Sequence, residues 1–332
     1  MTEALASYRR TLRPLAWPLV ALSLLLAFNA VFTTCFFALD IRDGRVYGVL
    51  IDVLNHGSRT ALVALGMTLV IATGGVDLSV GAIAAIAGAV TASLLFNANA
   101  PWPLALVAAL ASGLLCGLWN GVFIALFRLQ PIVATLVLMV AGRGIAQLIT
   151  DGSILTFQSP AITSIGNGSL IGLPVPVGLL AGATLLLGLT LRRTSLGLFI
   201  EAVGDNDVAA RLAGVPDRAV KLLAYTMCGL LASLAGVIEC SYIKAADANN
   251  AGNLLELDAI LAVVIGGTAL RGGRFALAGT VVGAMLMQTL TKTLFMQNVP
   301  ADIAPAPKAA AVIVVCLLQS PEFRRRLVAV HL

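Results

Sequence analysis

Two apolar runs, residues 61–73 and 80–90, meet at Gly74-Gly75-Val76-Asp77-Leu78-Ser79, and no other feature limits the possible fold as strongly. Both runs are greasy enough to lie in lipid. A carboxylate between them costs roughly 2.5–3.5 kcal/mol if it sits deep in a bilayer. Paired glycines beside it let the backbone leave helical geometry. Broken backbone at membrane depth persists only where protein or a water-filled cavity satisfies its polar groups. The segment implies a polytopic membrane protein with an internal polar path.

Composition fixes the class. Of 332 residues, 59% are hydrophobic and 11% charged, against about 45–50% and about 25% in soluble domains. Ten apolar segments stand out, at 15–39, 58–74, 78–97, 102–127, 131–150, 174–191, 219–243, 258–270, 275–297 and 303–320. At about 20 residues per span, ten spans consume roughly 200 positions and leave no room for a separate soluble domain. The expected fold is all-α, with some segments broken or re-entrant. The five cysteines lie in apolar runs without metal-like spacing, so they read as small core residues. The first run follows Arg9, Arg10 and Arg13 but is too long for a signal peptide and has no small-residue cleavage site.

The basic residues set the orientation. With the N-terminus inside, the inner segments hold Arg9, Arg10, Arg13, Arg128, Arg192, Arg193, Arg211, Arg218, Lys221, Arg271, Arg274, Arg324, Arg325 and Arg326. These are 14 of the 21 Lys and Arg residues, as positive-inside topology requires. The outer Arg42 and Arg45 are offset by Asp40, Asp43 and Asp52. The net charge of +5 thus reflects topology rather than nucleic-acid binding. The expected layout is a cytoplasmic N-terminus at 1–14, one membrane domain at 15–320 and a cytoplasmic tail at 321–332.

A second break runs from Lys244 to Asp258 and on through Gly266-Gly267 to Gly272-Gly273. It weakly echoes the first: Leu69-Val-Ile-Ala-Thr-Gly-Gly75 resembles Ala262-Val-Val-Ile-Gly-Gly267. Discontinuous helices in corresponding halves point to a transport site. The many other glycines read as close-packing positions. The polar stretch with Asp247, Asn249, Asn250, Asn253, Glu256 and Asp258 is expected to face outward as a gate or docking surface, its carboxylates and amides suited to hydroxyl-rich ligands. The outer loop 151–173 reads as flexible.

Three intramembrane polar groups complete the candidate path. Asp77 with Ser79 lies at the first break, and Asn120 either ties two helices or meets a solute. Arg143, between Gly142 and Gly144, needs a partner, and Asp77 is the expected one. Glu239 is expected to face the outer interface or to pair with Lys244.

The inner connection 192–218 contains a short helix. Asp205, Asn206 and Asp207 offer N-caps, Arg211 sits near its end, Gly214 suits the C′ position and Pro216 prevents continuation. Val208 and Leu212 share one face, with Ala209 and Ala210 between them. Two turns with no core of their own need a partner to bury them. That partner is either the membrane surface or a cytoplasmic protein that drives conformational change.

Several segments carry a family resemblance in order along residues 45–320. They are Gly66-Met-Thr-Leu-Val-Ile-Ala-Thr-Gly-Gly-Val-Asp-Leu-Ser-Val-Gly81, Trp119-Asn-Gly121, Pro131-Ile-Val-Ala-Thr-Leu136, Gly142-Arg-Gly144 and Glu201-Ala-Val-Gly204. Ala246-Asp-Ala-Asn-Asn-Ala-Gly252 and Leu255-Glu-Leu-Asp-Ala-Ile260 extend the match. The chain resembles permease subunits of the ribose-type family of ABC monosaccharide importers, the galactofuranose importers in particular. The resemblance implies a type II ABC-importer membrane fold in a bacterial inner membrane, paired with an identical or homologous permease. It also implies a periplasmic sugar-binding protein and a cytoplasmic ATPase, with residues 205–214 as the coupling helix. No GxxxxGK[ST] occurs in the chain, so ATP and Mg belong to the partner ATPase and this subunit is expected to be non-catalytic and to bind no cofactor. The rival reading is an ion-coupled carrier using Asp77. An intramembrane enzyme is disfavoured because His56 and His331 are isolated from clustered carboxylates.

Overall fold

The computed structural model describes residues 2–42, 45–170, 172–300 and 302–319, and the expected tail at 321–332 lies outside them. It contains helices α1 (Thr2–Phe32), α2 (Val49–Ala72), α3 (Val80–Phe96), α4 (Trp102–Ala125), α5 (Pro131–Ile149), α6 (Pro160–Asn167) and α7 (Val175–Arg193). Then follow α8 (Leu196–Asp205), α9 (Asp207–Leu212), α10 (Asp217–Ile243), α11 (Leu255–Ile265), α12 (Leu277–Met296) and α13 (Pro305–Gln319). Among the described residues, the strands form three short antiparallel pairs. They are β1 (Asp40–Arg42) with β2 (Arg45–Tyr47), β3 (Leu155–Thr156) with β6 (Ala245–Ala246), and β4 (Ser169–Leu170) with β5 (Leu173–Pro174).

Among the described residues, five helical segments are long and apolar enough to cross a membrane: Leu15–Phe32, Trp102–Ala125, Pro131–Ile149, Val175–Arg193 and Asp217–Ile243. Peripheral helices present apolar side chains outward, among them Leu115 on α4, Val140 on α5 and Leu186 on α7. Lipid can solvate such faces. By contrast α2 and α3 are almost wholly enclosed, from Thr60 to Ala72 and from Val80 to Ala89. Enclosed stretches meet protein on all sides, and the enclosed part of α3 is mostly alanine and glycine; Asp52 and Arg59 precede the enclosed part of α2, Asp52 with a half-exposed side chain.

Helix α10 organises the centre, packing on α2, α3 and α4. Its approach to α4 depends on a small-residue stripe, Gly113, Gly117 and Gly121. A Cβ on Gly117 would overlap the Tyr225 carbonyl and stand 2.9 Å from Thr226 Cα. These glycines are close-packing positions, as expected of small residues four apart in membrane bundles.

Span ends and one loop differ from the expectation, and α2 starts at Val49 rather than at 58. The first apolar helix ends at Phe32 rather than at 39, because the chain turns through Cys35, whose φ is +63°. The loop 151–173, expected to be flexible, is pinned instead. It carries α6, whose Gly166 amide donates to Ser241 Oγ at 2.7 Å, and Asn167 Nδ2 donates to the carbonyls of Ser241 and Tyr242 at 3.0 and 2.9 Å. Gly166 makes this possible, since a Cβ there would stand 2.8 Å from the Ile238 carbonyl.

Candidate functional site

Helix α2 stops at Ala72 and α3 begins at Val80, leaving 73–79 as irregular backbone inside the bundle. Gly74 adopts φ +82°, which a side chain would resist, so the glycine allows α2 to end there. Asp77 is fully buried and holds the turn together. Its Oδ1 accepts from the Ser79 amide at 2.9 Å, from Ser79 Oγ at 2.6 Å and from Asn120 Nδ2 at 3.4 Å. Asn120 Nδ2 also donates to Ser79 Oγ at 2.8 Å, so α4 is laced to the break. Asp77, Ser79 and Asn120, all named from sequence, form one cluster.

Arg143 is not part of it. Its guanidinium donates to the Ala251 carbonyl, because α5 packs on α3 above the break, with Gly142 against Ala82. Gln147, four residues on, donates to Asn249 Oδ1 at 2.8 Å. The expected Arg143–Asp77 pair is thus replaced by a bracket from α5 onto the 247–254 segment. Glu239 likewise does not pair with Lys244, which caps α10 in the left-handed conformation. Glu239 borders a cavity of about 160 Å³ with His56, Arg59, Asn250, Asn253 and Gln288. Asp52 pairs with Lys292 at 2.9 Å.

The second break is a stretch of mostly irregular backbone between α10 and α11. After β6 the chain turns at Asp247, whose side chain accepts from Asn249 and Asn250 amides and from Asn250 Nδ2 at 2.7 Å. That bond with Asn250 holds the Asp247 carboxyl below its usual range. The chain then reaches the first turn of α3, where Gly252 and Gly81 lie backbone to backbone. Glu256 follows directly, with Oε2 beside Gly81. At about 1.5 Å per residue, the 11-residue α11 spans roughly 16 Å, about half of a ~30 Å hydrocarbon core. Its Asp258 receives both 2.8 Å bonds from Lys308 of α13.

The two breaks meet at α8, an element not anticipated from sequence. Its last turn carries Gly204, one residue before Asp205. A Cβ on Gly204 would overlap the Ala72 carbonyl oxygen and the Gly273 amide. The Gly273 amide donates to Ala72 O at 2.9 Å, and a Cβ on Gly272 would stand 2.7 Å from Gly204 O and 2.9 Å from Gly74 N. Three backbones, from α2, α8 and the turn after α11, are therefore in contact.

Immediately beyond lies α9, within the predicted 205–214 segment. Of the three N-cap candidates, Asn206 takes the role, its Oδ1 accepting from the Ala209 amide at 2.9 Å. Asp207 pairs with Lys221 at 3.1 Å, and this bond pulls its carboxyl below the usual aspartate range. Arg211 faces Asp217 at 3.9 Å, and Gly214 adopts φ +85° to end the helix. Ala210 is buried, whereas Val208 and Leu212 are 51% and 84% exposed.

Among the described residues, the buried side-chain oxygens without a hydrogen-bond partner are Asp77 Oδ2, Asn120 Oδ1, Tyr225 Oη and Glu256 Oε2. Asp77 belongs to the 74–81 segment, and the other three residues touch it. Tyr225 was missed in the sequence, where it is one residue of a long apolar run. Its hydroxyl lies against Gly75.

A family model described as branched-chain amino acid transport system / permease component matches residues 49–318. The chain is 48% identical to the galactofuranose transporter permease protein YtfT of Escherichia coli K12, over 97% of this chain and 96% of that protein. It is 40% identical to the fructose import permease FruF of Bifidobacterium longum, covering 93% and 88%. Identity to the ribose import permease RbsC of E. coli K12 is 38%, covering 91% and 92%. No solved structure matches. With full-length matches on this scale, the chain belongs to the branched-chain amino acid transport system / permease component family.

Proposed function

We propose that this protein is the membrane permease of an ATP-driven monosaccharide importer. Its similarity to galactofuranose, fructose and ribose permeases supports the substrate class. The observation that carries the mechanism is the contact of Gly204 with Ala72 and Gly273. A displacement of α9 moves α8, and α8 bears directly on the ends of both broken segments. Exposed Val208 and Leu212 then form the knob that a cytoplasmic ATPase grips, and that ATPase binds ATP and Mg.

In this reading α1–α5, α7 and α10–α13 make ten crossings of a bacterial inner membrane, with both termini inside. The fold is of the type II ABC-importer kind, and the permease pairs with an identical or homologous copy. A periplasmic binding protein docks on the opposite face, near Asn249 and Asn250, and hands the sugar to the path past Glu256, Ser79, Asp77 and Asn120. Affinity resides mainly in the binding protein. The permease itself catalyses no reaction.

Co-expression with the ATPase and binding protein, in cells lacking their own sugar importers, tests this reading by uptake of labelled D-ribose, D-fructose, L-arabinose and D-galactose. Uptake of one or more that requires all three components is the expected result. Uptake independent of the ATPase would overturn it.

A further inference from the structure

A second polar space, of about 320 Å³, opens on the α9 side of the first break. Its volume falls at the lower end of the about 300–1,000 Å³ typical of small-molecule sites. The break contributes Thr73, Gly74 and Gly75, the α4–α5 turn contributes Gln130, and α9 contributes Asp207 and Arg211. Tyr225 of α10 borders it, 1% exposed, with a hydroxyl that no group among the described residues satisfies. An unmade hydrogen bond at a buried group costs about 1–3 kcal/mol, so an orphan hydroxyl at the edge of a polar cavity calls for a ligand or water.

The wall charges identify the ligand chemistry. Asp207 is joined to Lys221 at 3.1 Å and Asp217 lies 3.9 Å from Arg211, so these four wall charges offset one another and Arg128 leaves one positive charge over. One exposed cation is a thin basis for holding an anion. A neutral polyol finds carboxylates, an amide, a hydroxyl and guanidinium N–H groups, which together offer acceptors and donors for a ring of hydroxyls.

We propose that this cavity is a release site for a neutral monosaccharide, held by Tyr225 Oη and the Gln130 amide and bounded by α9. The inference rests on the importer reading and adds a location, within one protomer, where leaving sugar touches both the break and the ATPase-facing helix. Sugar in the cavity would link Gly74-Gly75 to Arg211 and Asp207, so its departure would free α9 for the next cycle.

Leu129 lines the mouth and is 43% exposed, which makes Leu129→Cys a suitable reporter. The permease–ATPase complex in nanodiscs is labelled with a water-soluble maleimide, and labelling of the parent protein is subtracted. The sugars are those of the uptake assay, with sucrose as an osmotic control and glucose 6-phosphate as an anionic one. An imported sugar should slow labelling about threefold at twice its half-protecting concentration. Tyr225→Phe keeps the ring packed and should raise that concentration about fivefold through one lost hydrogen bond. Gln130→Ala, at an exposed turn, should act in the same direction. Import of none of the sugars would remove the importer reading. Import with labelling unchanged by the imported sugar, protection by glucose 6-phosphate in preference to it, or an unaltered Tyr225→Phe response would overturn this inference alone.

Discussion

The carbonyl of Ala72, at the end of α2, accepts a 2.9 Å hydrogen bond from the amide of Gly273, in the turn between α11 and α12. Residues 201 positions apart in the chain thus join the two breaks directly, and Gly204 seals the contact from the α8 side. Backbone contacts of this kind have no side chain to rearrange, so motion at one member displaces the others.

Gly204→Ala should therefore separate the three backbones. Overpacking typically costs about 1–3 kcal/mol. The variant is expected to insert and bind its ATPase but to lose at least about tenfold in sugar uptake. Thermal unfolding in detergent and uptake in cells measure the two effects, and wild-type uptake would contradict the junction's role.

On α9, Leu212→Asp places a charge on a residue that is 84% exposed in the isolated subunit. The free permease should lose less than about 0.5 kcal/mol of stability, as surface changes usually do. Co-purification with the ATPase should fall sharply, because a carboxylate would be buried at the interface. Unchanged co-purification would show that the partner grips elsewhere.

Asp77 separates the importer from an ion-coupled carrier. Asp77→Asn retains an oxygen acceptor for the Ser79 amide and hydroxyl. Uptake should stay within about threefold of wild type, whereas Asp77→Ala strands those buried donors at about 1–3 kcal/mol and should disable the protein. Complete loss of uptake in Asp77→Asn, with the fold intact, would favour the charge-dependent alternative.

The Asp207–Lys221 pair predicts a pH dependence for the α9–α10 corner. The Asp207 carboxyl titrates below its unfolded value near 4 because Lys221 holds its charged form. Its stabilising contribution is present above that unfolded value and disappears as pH falls through the lower folded value. Hydrogen exchange across residues 207–221 should be insensitive to this pair from about pH 8 to 5 and should accelerate below about pH 4. Lys221→Met should remove the acid-dependent step.

Much of the architecture was legible because glycine, proline and polar residues punctuate apolar runs. Gly74-Gly75 marked the end of α2, and Asn206, Gly214 and Pro216 bracketed α9. Partner choice was less legible. A half-buried Arg143 announces that it needs an acceptor, but only the level at which α5 packs on α3 gives it Ala251 O instead of Asp77. Helix α8, Leu196–Asp205, was hidden because it falls inside the connection 192–218, where only the 205–214 segment carries both cap and breaker signals. Tyr225 carried no local signal, since its importance comes from meeting Gly75, which lies 150 residues away in the chain. Loop 151–173 looked flexible by composition, yet Gly166 and Asn167 anchor it to α10.

The most direct test of the central claim is ATP hydrolysis by the permease reconstituted in proteoliposomes with its ATPase. Sugar-loaded binding protein should stimulate hydrolysis in the wild type. In Gly204→Ala the ATPase should remain bound and hydrolyse ATP at its basal rate without stimulation. Full stimulation in Gly204→Ala, or wild-type hydrolysis that ignores both sugar and binding protein, would contradict the account.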